Sequence, residues 1–585
     1  MGAHWRFPHY DSDRIAALEA RAGISPIVAQ LLLARGVTDP AEVRAFLEVK
    51  LTGLREPDLL PGVPEAASRI MAAVEARRRI VVYGDYDADG MTASAILLRC
   101  LQLLHADVGY FVPSRLDEGY GLHDEALRKL AARGTSMVVS VDCGIASVSQ
   151  ARTALELGLE LIVTDHHELG DELPAAAAIV HPRLPGQLYP FGGLCGAGVA
   201  FKLAWALCQR ASGAQKVRPH LREFLMSAMG LAALGTVADV VPLLDENRIL
   251  VRHGLESLRL KPPLGLAALL EVTQLHQKTQ LSSEDIGFTI APRLNAAGRL
   301  GQAQLGVELL TTDAPERARA LAEYIHQLNA TRDSLERSIH LAANKQAKEQ
   351  FLPREDAALV LAGTNWHPGV IGIVAGRLAE KYCRPVVIIS IDPVGVKPAV
   401  GSARSASGLN LYAALAACSE HLLGFGGHAA AAGLKIEESK IESFRADFCE
   451  YVAREIPHES RVAELRIDAE APFSQLTLRT VQQIEQLAPF GTGNPRPVLS
   501  AADVRLTEPP KRIGTGERHL SLKLIQHGVS LRAVAFGHAD WADELTQTPG
   551  TIAVAYRPVI NDFRNRRSVE LQLEDWRSAS DDVPP

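Results

Sequence analysis

Between residues 79 and 310 the chain alternates short apolar runs with longer segments of helical periodicity. The runs, rich in valine and isoleucine, are 80–83, 137–141, 161–164 and 178–180. Apolar runs of this length, recurring between helical segments, are typical of strands in a parallel sheet that helices cover on both faces. The pattern therefore predicts a doubly wound α/β domain, with its active site at the carboxyl ends of the strands.

The pattern changes outside this region and predicts an α/β protein with a further small barrel. A long amphipathic stretch, with Leu321, Ile325, Leu328 and Leu335 as its apolar positions, is typical of one connecting helix. Short alternating runs near the C-terminus favour an OB-like β-barrel. The predicted segments are an N-terminal helical segment (1–50), a parallel-sheet domain (51–313), the connecting helix (314–351), a smaller α/β domain (352–458) and the barrel (459–585).

The composition is that of an ordinary globular protein, with 47% apolar and 22% charged residues in 585. Seven scattered cysteines without a C-x-x-C pair favour a reducing compartment, and no signal-peptide pattern opens the chain, so we expect a cytoplasmic protein. Residues 224–244 resemble a membrane span, but they include Asp239 and Pro242, which favours a buried helix and no membrane contact. The net charge of −7 does not exclude nucleic-acid binding, because an acidic metal site contributes negative charge.

The most informative chemistry follows the first apolar run, where Asp85, Asp87 and Asp89 place three carboxylates within five positions. Alternate side chains of an extended segment share a face, and carboxylates that converge repel one another unless a cation lies among them. Mg²⁺ and Mn²⁺ prefer such oxygen-rich sites. A calcium-binding EF-hand loop would need a glutamate at its twelfth position, where this chain has Ile96. A solvated acidic turn remains the alternative for this motif alone.

Three further polar clusters also follow apolar runs. They are Asp142, the triplet Asp165, His166 and His167, and Asp239, which is set among apolar residues. By itself, Asp142 is typical of a turn, because Gly144 follows closely. Two adjacent histidines and a lone carboxylate are costly to bury without partners, and a cation is the natural partner. Taken with the first motif, the set can hold two divalent ions, and zinc is disfavoured because carboxylates outnumber imidazoles.

The order of these motifs resembles the DHH phosphoesterase superfamily, and within it the bacterial exonucleases that digest single-stranded DNA from the 5′ end. The motifs are D-Y-D-A-D-G (85–90), V-D-C-G (141–144), T-D-H-H (164–167) and G-T-V-A-D-V-V-P-L (235–243). Segments 293–299, 366–372, 426–433 and 489–495 extend the resemblance over nearly the whole chain, the third being like the DHH-associated domain.

The resemblance implies a metal-dependent phosphodiester hydrolase of DNA recombination and repair, with Mn²⁺ or Mg²⁺ as two bound ions. It also implies single-stranded DNA as substrate, and a single-strand-binding protein and a helicase as partners. The implied metal ligands or their immediate neighbours are Asp85, Asp87, Asp89, Asp142, His166 and Asp239. Asp165 and His167 are implied to orient ligands or to touch the scissile phosphate.

Candidate contacts to nucleic acid lie downstream of the acidic motifs. Glycines allow backbone N–H groups to approach phosphate, and arginines and hydroxyls hold it, whereas aromatic and basic residues together hold single strands in OB folds. The alternatives are a packing turn for the glycines, structural ion pairs for the arginines and a solvated hairpin for the barrel residues. The candidates are Arg293, Arg299, Arg377, Ser402, Arg404, Gly426, Gly427, His428, Tyr556, Arg564 and Arg566.

Three functions are compatible with these motifs. A 5′ to 3′ exonuclease on single-stranded DNA is favoured, because the barrel and the N-terminal helices suit a polymeric substrate. A DHH-type phosphodiesterase on short oligonucleotides or cyclic dinucleotides, or a pyrophosphatase, needs neither. A non-catalytic replication scaffold of the same fold would be expected to have lost metal ligands, and every candidate is present here.

Overall fold

The computed structural model describes residues 4–114, 119–186, 188–214, 216–350, 352, 356–406, 408–456, 464–563 and 566–578. The chain forms two compact units, Leu51–Arg461 and a second one made of Met1–Lys50 with Val462–Pro585. Arg564 lies outside the described residues. All seven cysteines are free thiols.

Strands form in both units. They are β1 (His4–Arg6), β2 (Ile80–Gly84), β3 (Val108–Phe111), β4 (Met137–Val141), β5 (Glu160–Thr164), β6 (Ala178–Val180), β7 (Leu359–Thr364), β8 (Val386–Ile391), β9 (Ala399–Arg404), β10 (Leu422–Gly427), β11 (Ala431–Ile436), β12 (Glu464–Arg466), β13 (Ala469–Glu470), β14 (Leu499–Leu506), β15 (Lys511–Ile513), β16 (His519–Gln526), β17 (Val529–Ala535), β18 (Ile552–Phe563) and β19 (Arg566–Ser578).

Helices lie between many of these strands. They are α1 (Ser12–Ala22), α2 (Pro26–Leu33), α3 (Pro40–Glu48), α4 (Val63–Glu75), α5 (Ala88–Leu103), α6 (Asp124–Ala132), α7 (Val148–Glu156), α8 (Gly196–Ser212), α9 (Pro219–Ala238), α10 (Asp245–Leu260), α11 (Leu264–Val272), α12 (Ser283–Asp285), α13 (Ala291–Arg299), α14 (Ala303–Thr311), α15 (Pro315–Gln350), α16 (Ile371–Tyr382), α17 (Leu411–Ala417), α18 (Ile441–Glu455), α19 (Leu478–Glu485) and α20 (Trp541–Gln547). A π-helical turn, Ile286–Ile290, joins α12 to α13. The alternation expected up to residue 310 ends at β6, because α8 to α15 follow one another without a described strand between them.

The first sheet has the order β3-β2-β4-β5-β6, and all its strand pairs are parallel, which confirms the predicted parallel sheet. Both of its faces are buried, because Val82 and Val139 pack into one core with α4, α5, α8 and α9. Val81 and Val138 pack into another core with α6 and α7. Burial on both faces explains why the strands are continuous apolar runs with no alternation.

Helix α9 is long and apolar enough to cross a membrane by length and composition. In this fold 67% of its apolar window is buried inside the protein, and its residues belong to the core of the first sheet. The apolar stretch is therefore a core helix, as the sequence predicts, and it ends at Asp239.

Helix α15 runs for 36 residues and corresponds to the predicted connecting helix. It packs on α11 and α13 of the first α/β part and on α16 of the second. The second sheet has the order β10-β11-β9-β8-β7, in which only β7 and β8 pair in parallel. Together with the parallel sheet, this arrangement confirms the predicted fold class for this unit.

The other unit contains a closed barrel. Its strands follow the order β14-β18-β19-β17-β16, and β14 also pairs with β16, so that the five strands return on themselves. Helix α2 contributes Val28, Leu31 and Leu32 to the same core as the barrel strands. The N-terminal helices and the barrel thus form one unit, whereas the five-segment division of the chain stays a prediction.

Candidate metal centre

The acidic and imidazole residues predicted from sequence meet at the carboxyl edge of the first sheet. The connections that follow β2, β4 and β5 supply all of them except Asp239, because parallel strands end at the same edge. The loop from β2 to α5 carries Asp85 and Asp87, and Asp89 lies in the first turn of α5; Asp142 follows β4; Asp165, His166 and His167 follow β5; and Asp239 follows α9.

Potential ligand atoms of these residues lie within 4.8 Å of one another in three trios. His166 lies at the centre, with its Nε2 at 3.1 Å from Asp142 Oδ1, 3.5 Å from Asp239 Oδ2 and 3.8 Å from Asp89 Oδ2. The trios are Asp85 with Asp87 and Asp142; Asp89 with His166 and Asp239; and Asp142 with His166 and His167. Because Asp142 and His166 each belong to two trios, the structure contains adjacent rather than isolated cation sites.

Backbone N–H groups fix the carboxylates of the first motif. Asp87 is the N-cap of α5, and its Oδ1 accepts hydrogen bonds from the N–H groups of Asp89 (2.9 Å) and Gly90 (3.0 Å). The Asp89 carboxylate accepts from the N–H groups of Gly196 (2.6 Å) and Ala197 (2.8 Å) at the start of α8. The positive end of each helix therefore stabilises negative charge at the site.

Two glycines bring α8 and α9 close to the site. A Cβ on Gly196 would lie 2.5 Å from Asp142 Oδ1, and a Cβ on Gly235 would lie 2.3 Å from Asp89 Oδ1. Any larger residue at either position would displace a carboxylate. Asp142 itself adopts a left-handed backbone conformation with φ of 60°, which is uncommon outside glycine and is typical of functional sites.

Two buried polar atoms at the centre of the cluster lack a hydrogen-bond partner among the described residues. They are Asp142 Oδ1 and His166 Nε2, the pair that lies 3.1 Å apart. Burial lowers the pKa of His166 to about 3, so its imidazole is neutral and presents a lone pair. In the tautomer that leaves the lone pair on Nε2, the oxygen and the nitrogen face each other as two acceptors, which a cation between or beside them satisfies.

Asp165 has a different environment from the other carboxylates. Its Oδ1 accepts from the N–H groups of His166 (2.7 Å) and His167 (3.2 Å), and its Oδ2 accepts from the N–H of Ile145 (2.9 Å). His167 Nδ1 lies 2.7 Å from Oδ1. Burial alone would raise the pKa of Asp165, but these hydrogen bonds lower it to about 2. Asp165 is thus an ionised residue that orients both histidines.

His167 is held on two sides. Besides Asp165, the hydroxyl of Tyr120 lies 3.0 Å from Nδ1, and the backbone carbonyl of His167 lies 2.9 Å from Nε2 of buried His181. Burial lowers the pKa of His167, but the hydrogen bond and the charge of Asp165 outweigh it and raise the pKa to about 9. Tyr120 and His181 were not among the sequence candidates, and no motif distinguishes them.

The remaining carboxylates are held close to one another without enough positive charge. Burial, followed by the charge of Asp87, raises the pKa of Asp89 to about 6. Burial and Asp89 raise the pKa of Asp239 to about 9, and they raise that of Asp142 as well. The donor set is rich in carboxylate oxygen, with imidazole nitrogen as the minor component, which fits Mn²⁺ or Mg²⁺ better than zinc. The residues present therefore fit two divalent ions.

Helix α13 closes over the first motif and adds a residue that the sequence candidates omitted. Asn295 Oδ1 accepts a hydrogen bond from the N–H of Ala88 (2.8 Å), and a Cβ on Gly298 would lie 2.0 Å from the carbonyl oxygen of Tyr86. Asparagine is a poor helix former, so its place inside a helix between two arginines was a usable signal.

The candidate phosphate-binding residues come together on the second sheet. Ser402 on β9 is in register with Gly433 on β11, which in turn is opposite Gly426 on β10. Arg404 Nη1 donates to Ser402 Oγ at 3.0 Å. Gly427, with φ of 133°, and His428 follow at the exposed end of β10. The arrangement presents glycine backbone beside one hydroxyl and one guanidinium, as a phosphate cradle requires.

The other three arginines of this unit that are sequence candidates contact protein groups. Arg293 donates to the carbonyl of Thr289 (2.6 Å) and to His326 Nδ1 (3.1 Å). Arg299 donates to the carbonyl of Gly369 at 3.1 Å. Arg377 Nη1 lies 2.7 Å from Oε1 of Glu336, which is buried. The structural ion pair considered for Arg377 is therefore present.

The prediction that Tyr556 contacts nucleic acid is wrong. Its side chain is fully buried in the barrel core, its hydroxyl donates to the carbonyl of Ala471, and its ring meets Phe473 edge to face at 6.0 Å. No face of the ring is open to a base. Arg566, by contrast, is exposed at the start of β19.

Three family models match the chain. They are the DHH family N-terminal domain (residues 79–235), the DHHA1 domain (355–454) and the RecJ OB domain (467–575). The parallel sheet, its strand-end carboxylates and the first two of these matches define a phosphoesterase of the DHH class.

Curated and solved relatives extend over nearly the whole chain. A Bacillus subtilis protein named single-stranded-DNA-specific exonuclease RecJ is 37% identical over 98% of this chain and 70% of its own length. Its Escherichia coli namesake is 36% identical over 94% of this chain and 96% of its own length. The crystal structure of RecJ in complex with Mn²⁺ from Thermus thermophilus superposes with a TM-score of 0.82 at 33% identity, covering 98% of this chain and 79% of that one. The chain belongs to the RecJ family.

Proposed function

We propose that this protein is a metal-dependent exonuclease that hydrolyses single-stranded DNA from the 5′ end. The observation that carries the proposal is the buried cluster at the strand ends, in which Asp142 Oδ1 and His166 Nε2 lie 3.1 Å apart without a hydrogen-bond partner among the described residues. The relatives named as single-stranded-DNA-specific exonucleases, and the RecJ structures solved with Mn²⁺ or Mg²⁺, support the reaction and the ions.

The two trios that share no residue support a division of the ligands between two ions. One ion would be held by Asp85, Asp87 and Asp142, and the other by Asp89, His166 and Asp239. When bound, two Mn²⁺ or Mg²⁺ ions supply a water nucleophile at neutral pH and neutralise charge on the scissile phosphate and the leaving oxygen. The neutral form of His166 suits it to a ligand role, because an imidazolium has no lone pair to offer.

Asp165 and His167 act beside the ions. Asp165 fixes the imidazole of His167 through Nδ1, which lies 2.7 Å from its carboxylate. The hydrogen bond and the charge of Asp165 raise the pKa of His167 and so favour the protonated ring. A cationic imidazole at the edge of the cluster can donate to a phosphate oxygen or protonate the leaving group.

A short chain of contacts links the metal centre to the second sheet. We call the exposed end of β10 with Gly426, Gly427 and His428 the glycine surface. Asn295 touches the first motif, and Arg299, one turn or about 6 Å further along α13, contacts Gly369. Three residues later, a Cβ on Gly372 would lie 2.9 Å from Arg404 Nη2. This proximity supports a role for Ser402, Arg404, Gly426, Gly427 and His428 in holding the 5′ phosphate while the adjacent linkage reaches the ions.

The barrel supports a polymeric substrate. OB folds hold single strands through basic and aromatic side chains without reading sequence, and exposed Arg566 is a candidate for a phosphate contact. A phosphodiesterase for cyclic dinucleotides would have no use for such a barrel. A single-strand-binding protein and a helicase as partners, and a cytoplasmic location, remain predictions.

The proposal is tested with single strands labelled at either end. The protein is incubated with 5′-labelled strands, 3′-labelled strands and a blunt duplex, with Mn²⁺, with Mg²⁺ or with chelator. We expect early release of labelled mononucleotide from the 5′ label only, with Mn²⁺ or Mg²⁺ required and the duplex resistant. Early release from the 3′ label would contradict the polarity, and digestion in chelator would contradict the metal requirement. Cleavage of dinucleotides without digestion of long strands would favour the small-substrate phosphodiesterase.

A further inference from the structure

Phe288 is the most exposed of the exposed aromatic side chains in the described part of the chain, at 82%. Single exposed apolar residues are common on protein surfaces and need no explanation by themselves. This one is informative because it lies in an unusual backbone segment that packs on α9, the helix that ends at Asp239.

The ring projects from the π-helical turn Ile286–Ile290, which interrupts the helical stretch leading to Asn295. π-helical turns are rare and frequently occur at functional sites. The neighbouring Gly287 packs on the last turn of α9, where a Cβ would lie 3.6 Å from Cγ1 of Val237. Val237 precedes Asp239 by two residues, so the turn that carries Phe288 packs beside the end of α9 at which Asp239 lies.

A basic side chain follows Phe288 on the same helical stretch. The Arg293 guanidinium folds back along the helix and donates to the carbonyl of Thr289, the residue next to Phe288, at 2.6 Å. Arg293 is half-buried, and burial lowers its pKa from the ordinary arginine value, although a guanidinium remains charged. Aromatic rings and guanidinium groups are the side chains with which proteins hold single-stranded nucleic acids, and this short segment carries one of each.

A second exposed apolar side chain borders the same cluster. Val240 follows Asp239 directly, is 67% exposed and adopts a left-handed φ of 59°. That conformation is strained for a β-branched residue, and such strain is retained where surrounding structure or function requires it. Phe288 and Val240 are thus two exposed apolar side chains on segments that meet at the end of α9, and core packing explains neither of them.

We infer that Phe288 is a substrate-positioning residue that stacks on a nucleobase of the strand entering the metal centre. The inference rests on the proposed nuclease function and deepens it, because it assigns selection for unpaired bases to a residue of the catalytic unit itself. A base within a duplex is already stacked and paired, so it has no free face for the ring. Single strands are therefore favoured at this position, independently of the barrel.

The first test separates binding from turnover. Phe288→Ala is expected to raise KM for single-stranded DNA by about 5- to 150-fold, the range for loss of one base–aromatic stack, with little change in kcat. Phe288→Trp should retain the KM of the wild type, and Phe288→Leu should lie between the two. Leu155→Ala, at a 71% exposed position on α7, is the matched control and should leave KM unchanged. An unchanged KM in Phe288→Ala overturns the inference.

The second test identifies the stacked base. Equilibrium binding of strands with one abasic position, moved stepwise from the 5′ end, is measured by fluorescence anisotropy in chelator, so no turnover is needed. We expect one position at which the abasic strand weakens wild-type binding but does not weaken binding by Phe288→Ala any further. The inference is overturned if the losses of binding free energy caused by the abasic position and by Phe288→Ala add fully at every position. A wild-type protein that binds strands but never digests them would instead overturn the proposed nuclease function alone.

Discussion

The strand-end cluster and the glycine surface of the second sheet are both predicted to meet phosphate, yet they are built in opposite ways. In the cluster, Asp89, Asp142 and Asp165 are buried and are held by backbone N–H groups or neighbouring ligands. On the second sheet, Gly426 and Gly427 are exposed, and Arg404 is held mainly by Ser402 and its own strand.

This difference indicates that the strand-end cluster carries out catalysis and that the glycine surface binds substrate. Buried carboxylates with raised pKa values are unstable without cations, so the cluster is complete only with its ions. Exposed glycines and one guanidinium are stable alone and bind whatever phosphate approaches. We therefore expect substitutions in the cluster to affect turnover and metal affinity, and substitutions on the second sheet to affect substrate binding.

The largest effect is expected for Asp239→Asn, which keeps the shape of the side chain and removes its charge. Because Asp239 Oδ2 lies 3.5 Å from the His166 nitrogen within one trio, the change should disrupt an ion site and lower kcat by about a thousandfold or more. Rates of single-strand digestion at saturating Mn²⁺ measure this. Asp171→Asn, at an exposed carboxylate, is the control and should retain full activity. Normal digestion by Asp239→Asn would show that the site is wrongly assigned.

The next effect concerns the stability of the ion-free protein. The folded-state pKa values of Asp89 and Asp239 are raised to about 6 and about 9, so the folded state holds their protons at pH values where the unfolded state has lost them. Their contribution to stability is thus present below about pH 4 and is lost as the pH rises through 6 and then 9.

Thermal unfolding in chelator measures this loss. The Tm of the ion-free protein should fall between pH 5 and pH 9, and Mn²⁺ should restore it because binding to the folded state alone adds about 2.7 kcal/mol at a hundred times Kd for each ion. The Tm of Asp239→Asn in chelator should fall less than that of the wild type over the same pH interval. A Tm that rises with pH in chelator would contradict the crowded carboxylate cluster.

A smaller effect is expected for Arg404→Ala on the second sheet. Loss of a charged hydrogen bond to the terminal phosphate should raise KM by about tenfold or more on 5′-phosphorylated strands, with kcat nearly unchanged. On 5′-hydroxyl strands the KM of the same variant should rise much less. Lys397→Ala removes an exposed positive charge from the same part of the chain and serves as the control. An equal rise in KM on both kinds of strand would show that Arg404 does not contact the 5′ phosphate.

The smallest effect is expected for Arg566→Ala on the barrel. Its Kd for single strands should rise a few-fold, and the slope of log K against log salt should fall by about 1, because one phosphate contact is lost. Tyr556→Phe is the contrasting variant. It removes the donor to the Ala471 carbonyl inside the core, so it should lower Tm and leave DNA affinity unchanged. Weaker DNA binding by Tyr556→Phe would reverse our correction for this residue.

The sequence was most informative where one physical rule sufficed. The side chains of Asp85, Asp142 and His166 follow apolar runs, and parallel strands must end at one edge, so their convergence could be predicted without a structure. The carboxylate-rich composition likewise indicated the kind of ion.

The sequence predictions failed where strand parity, or a contact between distant parts of the chain, determined the position of a residue. Tyr556 shares its alternation with Ile552 and Val554, which face the barrel interior, so strand parity indicated burial although composition suggested stacking. Asn295 and Gly196 meet the acidic motifs across more than 50 residues of intervening chain. Such contacts follow from how helices pack on the sheet, and local patterns do not contain them.

The central claim is that the buried cluster holds two divalent ions in adjacent trios. Titration of the chelated protein with Mn²⁺, followed by electron paramagnetic resonance of the free ion, counts them directly. We predict two bound ions per chain in the wild type and one in Asp239→Asn, because Asp239 belongs to only one trio. A single ion in the wild type, or two undiminished ions in the variant, would contradict the account.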